Sequence, residues 1–404
     1  MRRGPRGALL ALVLLLWTGA AGADPGTVIV LSWDGVRHDF LGRTELPAVQ
    51  RVIHQGARAE RMIPVFPSNT FPNHVAMATG TYVDRHGIVN NVFRDPERGR
   101  FDHGNDASWL QAEPLWSAAE RQGVRSAVFF WVGSETDWNG YGARYRVAPF
   151  DGGTPESEKV DRILEWLALP EPERPRLVMS WWHGADGPGH RKGPDHRDVQ
   201  AALASQDREL ARLLAALDAR DAWEHTTLLI VGDHGMAEVT ELIDPAAALA
   251  RSGIAAQVEA VAATAQVWLA DPARLEDARR VLSALDGVTV YDGQGLPAEL
   301  RADHVRNGHL LLVTEPPRTF YKPEGLLALL VPVQQWLGGT HGMHGYDPRH
   351  PDMATIFLAL GRGVPAGANL GEVRSIDVAP TAAGLLGIAP PAQAEGRRIP
   401  GLVY

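Results

Sequence analysis

Thr27–Trp33 (TVIVLSW) runs directly into Asp34. An uninterrupted, uncharged stretch of this length reads as a strand buried on both faces, the signature of a parallel sheet covered by helices. Two more runs repeat the arrangement. Arg176–Trp182 (RLVMSWW) is followed by Asp186 and His190, and Thr226–Val231 (TTLLIV) ends at Asp233 and His234. Ligands of open α/β sheets bind beyond the carboxyl ends of the strands. Three strands that deliver carboxylates and imidazoles to one sheet edge therefore point to a shared metal site. Taken singly, Asp34 before Gly35 is an ordinary turn residue, Asp233-His234-Gly235 a cap or turn, and Asp186 and His190 a solvated loop among glycines. Their recurrence on successive strand ends is what carries the metal reading.

Between these strands the pattern switches to helical spacing. Leu46–Gly56, Leu115–Gly123, Glu158–Leu167 and Val199–Leu217 read as helices, and Arg125–Trp131 (RSAVFFW) as another strand. Alternation of this kind predicts an α/β fold with a doubly wound, mostly parallel central sheet flanked by helices. After Asp244 the composition turns Ala- and Arg-rich, with short strand-like pieces at Gln266–Leu269, Val288–Tyr291 and Leu310–Thr314. This predicts a small inserted α+β subdomain at about residues 245–337. The core pattern resumes with Ala354–Leu360 (ATIFLAL) and a helix around Asp377–Leu386.

The chain has 404 residues, 45% of them hydrophobic, and a formal net charge of −9. That balance argues against a nucleic-acid polymer as partner, since phosphate backbones are neutralised by a basic face. A small phosphorylated substrate is compatible with it, because bound metal ions supply local positive charge. With no cysteine in the sequence, disulfides, thiolate metal sites and cysteine nucleophiles are excluded. Arg2, Arg3 and Arg6, the apolar stretch Ala8–Trp17 and the small residues Ala21-Gly22-Ala23 read as a secretory signal over residues 1–23. The mature catalytic chain is then expected to be residues 24–404, periplasmic or secreted, with no stable membrane association after cleavage; the alternative is an uncleaved anchor.

Without thiolate, a zinc site takes imidazole nitrogen and carboxylate oxygen. Asp34, Asp186, His190, Asp233, His234 and a histidine from Thr340–Tyr346 (THGMHGY) make six such donors. Six donors and a hydroxyl exceed one tetrahedral ion and suit two, which together clamp the attacking and leaving oxygens of a phosphoryl transfer. The hydroxyl comes from Phe66–Gly80 (FPSNTFPNHVAMATG). Thr70 stands at the expected N-cap of a helix over Phe71–Thr79 that Gly80 closes, with Pro72 tolerated in the first turn. A hydroxyl there faces free N–H groups and the positive end of the helix dipole. Beside a metal ion it becomes a nucleophile; without one, it merely caps the helix.

Asp34-Gly35, Thr70-Phe71-Pro72-Asn73-His74, His86-Gly87-Ile88-Val89-Asn90-Asn91, Asp186-x-x-x-His190, Asp233-His234-Gly235-Met236 and His344-Gly345-Tyr346-Asp347 occur in an order that resembles the nucleotide pyrophosphatase/phosphodiesterase family, a branch of the alkaline phosphatase superfamily. The resemblance spans nearly all of the mature chain. It implies an alkaline-phosphatase-like fold and two Zn2+ per chain. Asp186, His190 and His344 would hold one ion; Asp34, Thr70, Asp233 and His234 would hold the other, with Thr70 as nucleophile. It further implies that Asn91 donates a hydrogen bond to a phosphoryl oxygen, and that Phe71 and Trp181 hold a nucleobase, although both also suit plain core packing in a chain with 12 Trp. Two departures stand out. Trp181-Trp182-His183-Gly184-Ala185 precedes Asp186 where relatives often carry Glu-Pro, and His341 duplicates the His-Gly pattern of His344.

The reaction this implies is hydrolysis of a phosphodiester or pyrophosphate bond, releasing a nucleoside 5′-monophosphate. Other chemistries on much the same metal core are phosphomonoester, phosphonoacetate and lysophospholipid hydrolysis. A non-catalytic periplasmic metal-binding protein is the reading from a different class, and it has no use for Thr70.

Overall fold

The computed structural model describes residues 26–321 and 341–404. The signal-peptide expectation and the last part of the expected insertion fall outside these residues. The three apolar runs are the centre of an eight-stranded sheet. Its order is Ala368–Asn369, Ala57–Arg58, Phe357–Gly361, Thr226–Gly232, Thr27–Trp33, Leu177–Trp182, Ser126–Phe129 and Tyr145–Val147. The strand Thr27–Trp33 runs parallel to both of its neighbours. Only Phe357–Gly361 opposes its neighbours, Thr226–Gly232 and Ala57–Arg58.

Burial explains why these segments are strands without alternation. All seven residues of Thr226–Gly232 and all six of Leu177–Trp182 are buried, because helices flank the sheet in two groups. Pro47–Gln55, Glu156–Leu167 and Arg197–Asp218 pack together, as do Thr70–Thr79, Leu115–Arg121 and Val378–Leu386. Pro47–Gln55 starts at Leu46, which offers no side-chain cap. Asp207 of the long helix supplies it, accepting from Ala48 N at 3.2 Å and Val49 N at 2.8 Å.

The register decides where the chemistry sits. Trp33 lies opposite Trp182 on one side and Gly232 on the other. Asp34 and Asp233 therefore leave the sheet level with each other, with His183 beside them and Asp186 three residues further along. The chain segments approach closely here. Gly35 has φ +68, and a Cβ on it would come within 2.9 Å of Asp186 Cα, so a side chain would push the two carboxylate-bearing turns apart.

Within the stretch expected to be inserted, a separate sheet forms in the order Ala256–Val261, Thr264–Leu269, Leu310–Thr314, Val288–Asp292, antiparallel throughout. Pro245–Arg251 and Leu275–Ser283 pack on it around a separate apolar cluster that includes Leu249, Val267, Leu282 and Leu312. The strand Ala256–Val261 carries Gln257 and Glu259 and has no apolar run to announce it. The hairpin of Val92–Asp95 with Gly99–Asp102 is likewise short and polar, and no local sequence signal marks it.

Candidate metal centre

Two groups of three side chains converge at the carboxyl edge of the sheet: Asp186, His190 and His344 in one, Asp34, Asp233 and His234 in the other. The two adjoin, with the rings of His234 and His344 stacked at 3.6 Å. In the first, Asp186 Oδ1 lies 3.2 Å from His190 Nε2 and 3.8 Å from His344 Nε2. In the second, His234 Nε2 lies 3.5 Å from Asp34 Oδ1 and 3.3 Å from Asp233 Oδ2. The structure thus gathers all six donors named from the sequence. His341, the other histidine of its doubled motif, is exposed.

Thr70 is the first residue of the helix Thr70–Thr79, and the N-cap position is held by Asn69, whose side chain makes no capping bond. The expected N-cap role of Thr70 is corrected by one residue. Its hydroxyl instead turns to the six donors, with Oγ1 3.1 Å from His234 Nε2. Gly80 ends the helix with φ 70, as its sequence position predicts.

Whether these residues suit metal ions is tested by their partners. Asp34 Oδ1, Asp186 Oδ1 and Asp233 Oδ2 are buried with no hydrogen-bond partner, and these are the oxygens that face the imidazoles. Buried unpaired carboxylate oxygens cost several kcal/mol and persist where something else satisfies them. The imidazoles are prepared in a matching way. His190 Nδ1 is 2.9 Å from Gly342 O, His234 Nδ1 2.9 Å from Gly235 O, and His344 Nδ1 3.1 Å from Ser68 O. A carbonyl accepts only from N–H, so each neutral ring carries its proton on Nδ1 and turns the Nε2 lone pair inward, the usual arrangement of a metal-binding histidine. The donor set is nitrogen and oxygen, which suits zinc.

The charges give the same answer. Burial first, then the neighbouring Asp233 and Asp186 carboxylates, push the Asp34 carboxyl well above the usual range. Burial also opposes ionisation of Asp186, but His190 and His344 outweigh it and hold that carboxyl below the ordinary value. Burial acts against a charged His190, yet Asp186 raises it to about 9. His344, buried and facing His234 and His190, is pushed well below the ordinary imidazole value. Three carboxylates crowded into a buried space are a charge arrangement that divalent cations offset.

Around this centre lies a cleft of about 640 Å³ whose wall includes Thr70, Phe71, Asn91, Phe150, Trp181 and Arg191. Asn91 Oδ1 accepts from Phe71 N at 2.9 Å, which leaves its NH2 group as the donor for the cleft. Trp181 is buried, and its Nε1–H donates to Asp34 Oδ2 at 2.9 Å. Phe71 meets Trp181 edge to face at 6.5 Å, whereas Phe150 stacks on Trp181 at 4.8 Å and is 37% exposed. Phe150 lies in a loop, and nothing in its local sequence marks it. Lys159, with no exposed surface, donates from Nζ to Trp181 O at 2.9 Å and lies 3.3 Å from His183 Nδ1; burial lowers its ammonium to about 8. Behind Thr70, His74 connects Thr70 O at 2.9 Å, Ser32 Oγ at 3.0 Å and Asp233 Oδ2 at 3.4 Å. His74 sits inside a motif already quoted, so its position was in view without a role. Arg191 also lines the cleft, and no sequence signal marks it.

A family model described as type I phosphodiesterase / nucleotide pyrophosphatase matches residues 28–347. The chain belongs to this family. It is 27% identical over 403 residues to human ectonucleotide pyrophosphatase/phosphodiesterase family member 1, covering 92% of this chain and 41% of the relative. It is 38% identical over 222 residues to an uncharacterized pyrophosphatase/phosphodiesterase of Schizosaccharomyces pombe, covering 53% of this chain and 46% of the relative. A bis(5′-adenosyl)-triphosphatase of Xenopus laevis is 27% identical, with 94% of this chain and 83% of the relative covered. The chain spans less than half the length of the first curated relatives it matches. Murine ectonucleotide pyrophosphatase/phosphodiesterase 5 shares the fold with a TM-score of 0.81 at 23% identity, over 90% of this chain and 96% of that one; an inactive form of it has been solved in complex with AMP. The architecture is therefore alkaline-phosphatase-like. Among the described residues, no helix is long and apolar enough to cross a membrane.

Proposed function

We propose that this chain is an exported phosphodiesterase/nucleotide pyrophosphatase that uses two zinc ions and a phospho-threonine intermediate to release nucleoside 5′-monophosphates. The observation that carries the reading is the Thr70 hydroxyl, at a helix N-terminus and 3.1 Å from His234 Nε2, beside the three unpaired carboxylate oxygens. Export rests on the signal-like N-terminus.

Asp186, His190 and His344 would hold one ion, and Asp34, Thr70, Asp233 and His234 the other. Such ions lower the pKa of a bound hydroxyl or water and offset charge on phosphoryl oxygens. The chain supplies the rest. Thr70 Oγ1 would attack phosphorus in line, its proton passing to solvent, while the bond from phosphorus to the leaving oxygen breaks and its electron pair stays on that oxygen. The Asn91 NH2 is aimed at the developing negative charge. Asn91 is held for that task by Phe71 N. Water then hydrolyses the threonine ester. Phe71 and the half-open face of Phe150 are placed to contact a nucleobase. Trp181, which the family resemblance offers for that contact, lies behind Phe150 and also orients Asp34.

The test compares a nitrophenyl nucleotide diester with nitrophenyl phosphate on zinc-loaded protein, with acid-quench mass spectrometry on the peptide containing Thr70. A phosphorylated Thr70 and faster diester cleavage are expected. Preference for nitrophenyl phosphate replaces the diesterase reading with a monoesterase one. Metal binding without turnover of either substrate leaves a metal-binding protein.

A further inference from the structure

Asn69 breaks a local rule. Asparagine at an N-cap ordinarily turns its side-chain oxygen onto the first turn of its own helix. Here the side chain makes no capping bond, and its buried Oδ1 has no hydrogen-bond partner. Its NH2 goes instead to Asn90 Oδ1, at 2.7 Å. The same Asn90 oxygen accepts from Asn91 N at 2.8 Å. The backbone N–H of Asn91 only donates, so the Asn90 atom that faces it is the carbonyl oxygen. The Asn90 NH2 then points the other way and donates to Thr264 Oγ1 at 2.9 Å. Thr264 opens a strand of the separate sheet and gives its own hydroxyl proton to Val261 O, at 3.3 Å, so its oxygen is the acceptor towards Asn90.

Asn69, Asn90 and Thr264 are all buried, so these bonds form in a low dielectric without competition from water. They meet where position counts. Asn69 immediately precedes Thr70 and is packed tightly on another side, since a Cβ on Gly345 would come within 2.5 Å of Asn69 Oδ1. Asn91 lines the cleft, and its Oδ1 is held by Phe71 N at 2.9 Å. Asn91 is thus gripped at its side chain by the residue after Thr70. At its backbone it is gripped by Asn90, which is itself bound to the residue before Thr70. Asn90 is buried and does not line the cleft. We propose that Asn90 is a positioning residue for phosphoryl transfer: it fixes the Asn91 amide relative to Thr70 and acts on the reaction through Asn91. Asn69 and Thr264 hold Asn90 in that place. The inference rests on the phosphodiesterase reading above, in which Thr70 attacks and the Asn91 NH2 donates to a phosphoryl oxygen, and deepens it.

The test is a double-mutant cycle on zinc-loaded protein, read as kcat and KM for a nitrophenyl nucleotide diester and as zinc content. Asn91→Ala removes a donor to the transition-state charge and should lower kcat about 100-fold or more. Asn90→Ala should lower kcat about tenfold or more, because a misplacement of about 1 Å can cost about 100-fold. KM and zinc content should not change. Added to Asn91→Ala, Asn90→Ala should cost no more than about twofold further, within the scatter of such cycles. A residue that only supports the fold gives losses that multiply. Multiplied losses, or a parental kcat in Asn90→Ala, overturn the assignment. Thr264→Val keeps the side-chain volume and removes the acceptor of the Asn90 NH2. It should repeat the pattern, with a loss of about threefold or more that vanishes beside Asn91→Ala. If Asn90→Ala does not fold, Thr264→Val decides alone, and a parental kcat there rejects the proposal. Failure of the parent reading looks different: Asn91→Ala then keeps the parental kcat, or the unmodified protein prefers nitrophenyl phosphate to every diester. In either case the proposal falls with it.

Discussion

Replacing Trp181 by Phe separates two tasks that meet in one side chain. The change keeps an aromatic ring beside Phe150 and removes one bond, Nε1–H to Asp34 Oδ2 at 2.9 Å. Asp34 Oδ1, on the same carboxyl group, faces His234 Nε2 at 3.5 Å. Asp34 is also the carboxylate that burial and its acidic neighbours drive furthest towards protonation, and Trp181 acts in the opposite direction. A hydrogen bond to a charged group contributes about 1.5–3 kcal/mol, or roughly 10- to 150-fold in affinity. That agrees with the roughly 10- to 100-fold typical of losing a group that orients a metal ligand. Zinc competition against a chromophoric chelator should show two equivalents in the unmodified protein. In Trp181→Phe, one should be weakened by about that factor and the other unchanged. Activity on a nitrophenyl nucleotide diester should recover as free zinc is raised. The reasoning is refuted if both equivalents bind as before while diester activity stays low at saturating zinc; Trp181 would then act on the nucleobase.

Thr70→Ala should lose several orders of magnitude in turnover yet bind metal, and Thr70→Ser should keep partial activity; more than about a tenth of activity left in Thr70→Ala sinks the nucleophile assignment. His344→Ala should cost far more zinc affinity and activity than His341→Ala, because His344 lies 3.2 Å from His190 Nε2 and His341 is exposed; the reverse order would mean the ligand is the other histidine. His190 is raised to about 9 in the metal-free site, so it is protonated below that pH and must release a proton to bind zinc. Affinity at the Asp186 group should therefore rise about tenfold per pH unit up to that value, and a zinc titration that shows no pH dependence between 7 and 8 contradicts it. Burial lowers Lys159 to about 8 from the ordinary 10.5 of a free lysine, so the unfolded chain binds more protons across that window. Its charge destabilises the fold fully below pH 8, by about 3 kcal/mol, and less as pH rises through 10.5. Denaturation of the parent and Lys159→Met should show a stability difference that shifts in the parent's favour from pH 7 to pH 10; a constant difference rejects the assignment.

How much of this was legible in the sequence follows from how local each signal is. Thr27–Trp33, Leu177–Trp182 and Thr226–Gly232 announce themselves because a strand buried on both faces must be apolar throughout, whatever it packs against. Gly80 marks the end of its helix because the left-handed conformation there favours a residue with no side chain. The six donors could be named because each follows a strand or belongs to an ordered motif. The short polar hairpin Val92–Asp95 with Gly99–Asp102, and the strand Ala256–Val261, carry no such signal, since pairing with distant partners stabilises them. Thr70 could not be placed more closely than one residue, because a threonine beginning a helix and one capping it leave the same local trace. The sequence by itself determined which residues could hold metal and which segments would form the sheet. Only the tertiary structure decided that Trp181 orients Asp34, that Phe150 covers it, and that Thr264 holds Asn90. Those contacts join residues far apart along the chain, and they exist through sheet register and packing, which no local pattern encodes.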